Sequence, residues 1–261
     1  MGKIVSIHSF RGGTGKSNTT ANLAAQTALV AGKRVGVVDT DIQSPGIHVL
    51  FGLDENSMGK TLNDYLYGKC AIREVAYNVG EHADESGGRS QLAGKNLWLI
   101  PSSIRGREIS RVLREGYDVG RLNEGLQTLI SDLELDYLFI DTHPGLNEET
   151  LLSIAISDAL LIILRPDQQD FQGTAVTVDI ARSLDVANLL LMVNKAVPNK
   201  YDYVHLKEQI EKAYHAPLTG ILPLNFDLAD NASKDIFSLA HPDHEWSREL
   251  RKVAAAILAV E

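Results

Sequence analysis

The sequence predicts an α/β fold: a single doubly wound domain over residues 1–261, with a mainly parallel sheet and helices on both faces. Three observations carry this prediction. Short apolar runs alternate with helix-length segments from the start of the chain; the runs lack clean period-two alternation, as strands buried on both faces do; and the repeated strand-then-helix order implies right-handed crossovers. The strands fall at Lys3–His8, Arg34–Val38, Asn96–Ile100, Tyr137–Ile140, Ala159–Leu164 and Asn188–Val193. The helices between and after them fall at Gly15–Ala31, Ser110–Leu133, Asn147–Ile156, Gln172–Leu184, Val204–Tyr214 and Trp246–Val260. Only Glu81–Lys95 breaks the rhythm; its Gly, Ser and charge without apolar period predict a mobile surface loop.

Composition narrows the function. A chain of 261 residues, 44% apolar and 23% charged, can bury a sizeable core without staples. Cys70 stands alone, which excludes an intramolecular disulfide and a cysteine-held zinc or iron–sulfur cluster within one chain. No apolar run approaches the ~20 residues that span a bilayer, and no secretory segment opens the chain, so a cytoplasmic protein is expected. The net charge of −9 argues against wholesale coating of nucleic acid, although it leaves room for a local basic patch.

The strongest motif is Phe10–Ser17, F-R-G-G-T-G-K-S, between the first strand and the first helix. Gly12, Gly13 and Gly15 free the backbone so that successive N–H groups, including those of Thr14 and Asn18, can turn toward a polyphosphate. The helix N-terminus adds its dipole, Lys16 reaches the β- and γ-phosphates, and the Ser17 hydroxyl completes a Mg²⁺ shell. The usual G-x-x-x-x-G-K-[ST] pattern fails, because its first glycine falls on Phe10.

That departure is informative. The pattern x-K-G-G-x-G-K-[ST] marks the deviant Walker A proteins, and this sequence resembles the ParA/MinD family of dimerising P-loop ATPases. The resemblance covers most of the chain and runs through the phosphate loop, D-T-D-I-Q at Asp39–Gln43, I-D-T-H-P-G at Ile140–Gly145 and V-N-K at Val193–Lys195. It implies ATP and Mg²⁺ as cofactors, an ATP-dependent homodimer, and an activating or cargo-adaptor protein. It also implies that Asp41 orients or activates the attacking water, that Asp39 supports the metal shell, and that Asp141 is the Walker B carboxylate. In isolation, an aspartate after an apolar strand is equally a turn residue or a helix N-cap. Three of them at the carboxyl ends of strands beside a phosphate loop point to the ligand edge of the sheet. Where the family carries a signature lysine, this chain has Arg11, as McdA-type members also depart there. Either Arg11 crosses the dimer interface, or another basic residue has taken that role.

Asn194-Lys195 invites comparison with the guanine signature N-K-x-D, but Val197 occupies the Asp position, so adenine is preferred. Asn194 is expected at the adenine edge and Pro223, in LPLNFD, is expected to contact the base. Relatives of this kind cycle on a surface. Arg105, Arg107, Arg111, Arg114 and Arg121 gather within one stretch and offer a face for nonspecific DNA, hence nucleoid association, although acidic residues are interspersed. The alternatives are a MinD-like membrane-surface regulator of division or flagellar placement, for which the last helix packs better on the domain than in lipid, and a nucleotide-dependent scaffold with negligible hydrolysis.

Overall fold

The computed structural model describes residues 2–30, 32–81 and 87–260. Its eight strands are β1 Lys3–His8, β2 Arg34–Asp39, β3 Tyr77–Asn78, β4 Asn96–Ile100, β5 Tyr137–Asp141, β6 Ala159–Leu164, β7 Asn188–Ala196 and β8 Leu218–Pro223. The helices are α1 Lys16–Ala28, α2 Ile47–Leu50, α3 Leu62–Leu66, α4 Gly106–Glu115, α5 Val119–Asp132, α6 Glu148–Ala155, α7 Gln168–Ser183, α8 Tyr203–Tyr214, α9 Phe226–Asp230, α10 Phe237–Ala240 and α11 Glu245–Leu258.

The strands form one sheet in the order β3-β4-β2-β5-β1-β6-β7-β8, parallel except for the antiparallel edge pair β3 and β4. Successive side chains feed opposite cores. Val5 and Ile7 of β1, Phe139 of β5 and Leu161 of β6 join one continuous core with α1, α10 and α11. On the other face, Leu138 and Ile140 pack with Leu122, Leu126 and Leu129 of α5, while Leu160 and Ile162 pack with Val178, Leu206 and Ile210 of α7 and α8. Burial on both faces removes the need for polar alternation, which is why these strands read as uninterrupted apolar runs.

The six predicted strands all form. β8 and the two-residue β3 were not predicted, β8 because Gly220 and Pro223 break its apolar run. As an edge strand, β8 tolerates the missing N–H of a terminal proline. The predicted helix Ser110–Leu133 is two helices: Gly116 turns the chain at φ +64°, and Asp118 then caps α5 through Gly120 N and Arg121 N at 2.8 and 3.3 Å. The expected mobile loop Glu81–Lys95 is corrected in its second half, its residues 82–86 lying outside the described residues. Gly88–Leu92 is a 3₁₀ turn with Gly88 and Leu92 buried. The Asp235 carboxylate accepts from Gly88 N at 2.5 Å and Arg89 N at 3.0 Å, and Gln91 donates to Leu239 O at 2.8 Å, so this turn is docked on α10. Trp246, Leu250, Val253 and Ile257 of α11 are buried in the core, and no helix among the described residues is long and apolar enough to cross a membrane.

Candidate nucleotide site

β1 and β5 lie side by side, with β6 on the other flank of β1, so the chain reverses its direction of sheet growth at the carboxyl end of β1. Open α/β sheets bind ligands at such a switch point. The loop Ser9–Gly15 sits there. Gly13 and Gly15 have φ of +75° and +92°, the left-handed region that a side chain resists. Gly12 has no such torsion, which corrects the expectation that all three glycines serve unusual backbone conformations; a Cβ there meets only Pro144, at 3.9 Å. The Thr14 side chain is turned inward, its hydroxyl donating to Ser9 Oγ at 2.9 Å, while Ser9 Oγ donates to Arg11 O at 2.8 Å.

Asn194 and Lys195, at the end of β7, brace this loop. Asn194 Nδ2 donates to Thr14 O at 2.8 Å, its Oδ1 accepts from Lys195 N at 2.9 Å, and Lys195 Nζ donates to Gly13 O at 2.8 Å. Asn194 was expected at the adenine edge alone; it also clamps the phosphate loop. Lys195 in this role was missed, although it stands in the same motif. Asn194, Pro223, Gly15 and Asn18 line a cavity of about 250 Å³ whose walls include Leu224, Leu228 and Trp246.

Three carboxylates converge beside the loop. Asp39 and Asp141 are register partners across β2 and β5, and both are fully buried. Burial holds the Asp39 carboxyl well above the usual carboxylate range, with the charges of Asp141 and Asp41 adding to the effect. Asp141 is pushed up to about 6, chiefly by burial, against the opposing pull of Lys16 and Ser17. Thr20 Oγ1 donates to Asp141 Oδ1 at 3.2 Å, whereas Asp141 Oδ2 is buried without a protein partner. A buried Asp141 oxygen with no donor, in a carboxylate that also feels the charge of Lys16, fits a divalent cation. Among the described residues, no set of three or more His, Cys, Asp and Glu is arranged to hold a metal unaided.

Asp39, expected to support the metal shell, accepts a backbone N–H at each oxygen. Its Oδ1 accepts from Asp41 N at 3.0 Å and its Oδ2 from Gly46 N at 3.3 Å, so both oxygens shape the turn that carries Asp41. Asp41 Oδ1 in turn accepts from Ser44 N and Oγ at 3.1 and 3.2 Å, and His143 Nε2 lies 3.9 Å from the same oxygen. His8, at the end of β1, is fully buried and held down to about 3 by burial, then by Lys16 and His143. Neither histidine was singled out from the sequence; the signal was their place at strand ends, His8 closing β1 just before the phosphate loop and His143 inside I-D-T-H-P-G after β5.

Arg11 is half-exposed and leans on an acidic pair, with Nη1 3.6 Å from Asp170 Oδ1 and 3.9 Å from Asp167 Oδ1. Asp170 is itself gripped by Arg165 through Nε and Nη2 at 2.9 and 3.0 Å. The arginine stretch is split by the fold. Arg107, Arg111 and Arg114 share a cleft with Lys69, but Arg111 pairs with Glu115 at 2.7 Å and stacks on Tyr67, and Arg105 pairs with Glu55 at 3.4 Å. Arg121 is apart, packed on the Tyr65 ring and donating to Tyr65 O at 2.8 Å.

A family model described as an AAA domain matches residues 2–188. The chain belongs to the ParA/MinD family of P-loop ATPases. It is 27% identical to an uncharacterized ATP-binding protein of Methanocaldococcus jannaschii, over 100% of this chain and 89% of that protein. Over 89% of its length it is 26% identical to the sporulation initiation inhibitor protein Soj of Bacillus subtilis, covering 88% of Soj. The septum site-determining protein MinD of Pyrococcus horikoshii, solved with Mg-ADP, superposes with a TM-score of 0.77 at 19% identity over 98% of this chain and 96% of that one. The expected P-loop NTPase fold of ParA/MinD type is thus the observed one.

Proposed function

We propose that this member of the family is a switch ATPase that binds MgATP at the loop Phe10–Ser17, dimerises around it, hydrolyses it to ADP and phosphate, and so positions or segregates an intracellular cargo. The observation that carries this reading is the convergence of Lys16 with Asp39, Asp41 and Asp141 at one sheet edge, against a loop whose glycines adopt left-handed torsions. Gly12, Gly13, Thr14, Gly15 and Asn18 supply backbone donors for the phosphates, Lys16 supplies the point charge, and the cavity beside Asn194 and Pro223 takes the adenine. Ser17 and Asp141 would hold Mg²⁺, which neutralises charge on the transferring phosphoryl group. Asp41 holds the attacking water, and Asp39 holds Asp41. The test is Asp41→Ala: ATP binding persists, phosphate release falls to background, and the ATP dimer accumulates in size-exclusion chromatography. Unchanged hydrolysis removes Asp41 from this role.

The surface of action in this reading is nucleoid DNA, gripped nonspecifically through Arg105, Arg107, Arg111 and Arg114, with Lys69 added by the fold; a dimer presents two such clefts. Release follows hydrolysis stimulated by an activating or cargo-adaptor protein. Arg11 acts in trans on the partner's nucleotide: its side chain is half-exposed, and its contacts to Asp167 and Asp170, at 3.9 and 3.6 Å, are longer than a tight pair. The same tether supports a second reading, a nucleotide-dependent scaffold with negligible hydrolysis, in which Arg11 stays at home. Phosphate release no faster than that of Lys16→Ala favours the scaffold.

A further inference from the structure

His143 stands on a loop fixed at several points. Thr142 donates to Ile7 O through both N (3.3 Å) and Oγ1 (2.9 Å), Gly145 N donates to Ser9 O at 3.3 Å, and Thr150 Oγ1 donates to His143 O at 3.3 Å. The imidazole is therefore carried by β1 and the phosphate loop together. Its Nδ1 lies 2.6 Å from Pro144 O. A carbonyl oxygen only accepts, so Nδ1 carries the proton, and in the neutral ring the lone pair sits on Nε2. That nitrogen faces Asp41 Oδ1 at 3.9 Å. Two acceptors so disposed are complementary to one molecule with two donors. Hydrogen bonds of about 2.8 Å from a shared water to atoms 3.9 Å apart subtend about 90°, within bending range of the water angle.

We propose that His143 is the second acceptor for the attacking water, sharing it with Asp41. With both protons directed to Nε2 and Oδ1, the water's two lone pairs point away from that pair of acceptors, free to meet the γ-phosphorus of an ATP bound at the phosphate loop. The water oxygen bonds to the γ-phosphorus as the bond to the β,γ-bridging oxygen breaks, ADP leaves with that electron pair, and one water proton turns from its acceptor to a phosphoryl oxygen of the new inorganic phosphate. Neither side chain ends with a changed charge. The contribution is orientation of the nucleophile, and it rests on the reading of Asp41 given above.

Two substitutions separate orientation from folding. His143→Asn keeps an amide group near the Nδ1 position and removes the Nε2 acceptor; His143→Gln restores an acceptor near Nε2. In the full-length protein with ATP and Mg²⁺, the expected result for His143→Asn is unchanged ATP affinity by fluorescent-nucleotide displacement, single-turnover phosphate release slowed on the order of tenfold to a hundredfold, and a dimer lifetime after an ADP chase lengthened in proportion. His143→Gln recovers part of the rate. The proposal is overturned if His143→Asn hydrolyses and dissociates as wild type does, or if both variants lose ATP affinity together with rate, which marks a loop-shaping role. Asp41→Ala run in parallel separates the levels: an active Asp41→Ala overturns the site reading itself, whereas an inactive one beside a wild-type-like His143→Asn overturns only the role of His143.

Discussion

Gly15 shows how narrowly one residue constrains the site. It combines φ of +92° with a Cβ position 2.7 Å from Asn194 Nδ2, the group that clamps Thr14 O. Gly15→Ala is expected to cost more than about 1 kcal/mol of stability and to weaken nucleotide binding, checked by urea denaturation and equilibrium binding. His8 carries a pH signature. Thr142 gives its only proton to Ile7 O, so its oxygen accepts from His8 Nδ1 at 2.9 Å and the ring stays neutral in the fold. The folded ring resists protonation down to about 3, while the unfolded ring takes a proton below 6.5. Stability is therefore lost as pH falls from 6.5 toward 3, by at most about 1.4 kcal/mol per pH unit. The raised Asp39 and Asp141 carboxyls act in the opposite sense from 3.8 upward, Asp141 as far as about 6, their folded forms losing stability as pH rises. The difference between wild type and His8→Asn isolates the imidazole, and it should widen in favour of the variant on acidification. The glycines and Lys16 were legible in the sequence because loop chemistry is local. His8 and His143 were not, because a histidine acquires its meaning from what it faces.

Among the elements, the second half of the 81–95 stretch and the α4–α5 break differ most from the sequence reading. Both turn on a single aspartate. Asp235 accepts from Gly88 N, Arg89 N and Ile236 N, joining segments almost 150 residues apart in sequence. Asp235→Ala strands those donors and is expected to cost about 1–3 kcal/mol, with amide exchange at 88–92 accelerating before that of β1 and β5. Asp118→Ala removes the α5 cap at a cost of about 1 kcal/mol, read as a lower urea midpoint with an unchanged slope. The strands were legible because burial on both faces imposes apolar residues throughout. β8 was not, because its place at the edge and its packing on α11 are set by tertiary contacts.

At the scale of the whole molecule, the proposed function couples nucleotide binding to a surface. A ligand that binds only the folded state stabilises by about 2.7 kcal/mol at a hundredfold excess over its dissociation constant, so MgATP is expected to raise the melting temperature. Asp141→Ala should lose the Mg²⁺-dependent part of that rise. For the DNA reading, Arg107→Ala with Arg114→Ala should weaken ATP-dependent DNA binding uniformly across sequences and flatten its dependence on log salt by roughly one unit per lost contact. A net charge of −9 limits what the monomer attracts, while the cleft of Lys69, Arg107, Arg111 and Arg114, lined also by Glu108 and Glu115, gathers more basic than acidic side chains.

By itself the sequence determined the doubly wound fold, the phosphate loop, the three carboxylates and the exclusion of cysteine-held clusters. Each of these follows from local pattern: apolar period, glycine spacing, strand-end acids and a count of one residue type. Only the tertiary structure decided which oxygens of those acids are satisfied. Asp39 spends both oxygens on the Asp41 turn, Asp141 keeps one buried and unpartnered, and Asp41 faces His143 across 3.9 Å. Which oxygen is satisfied depends on donors delivered from other strands, and no spacing along the chain encodes that distance.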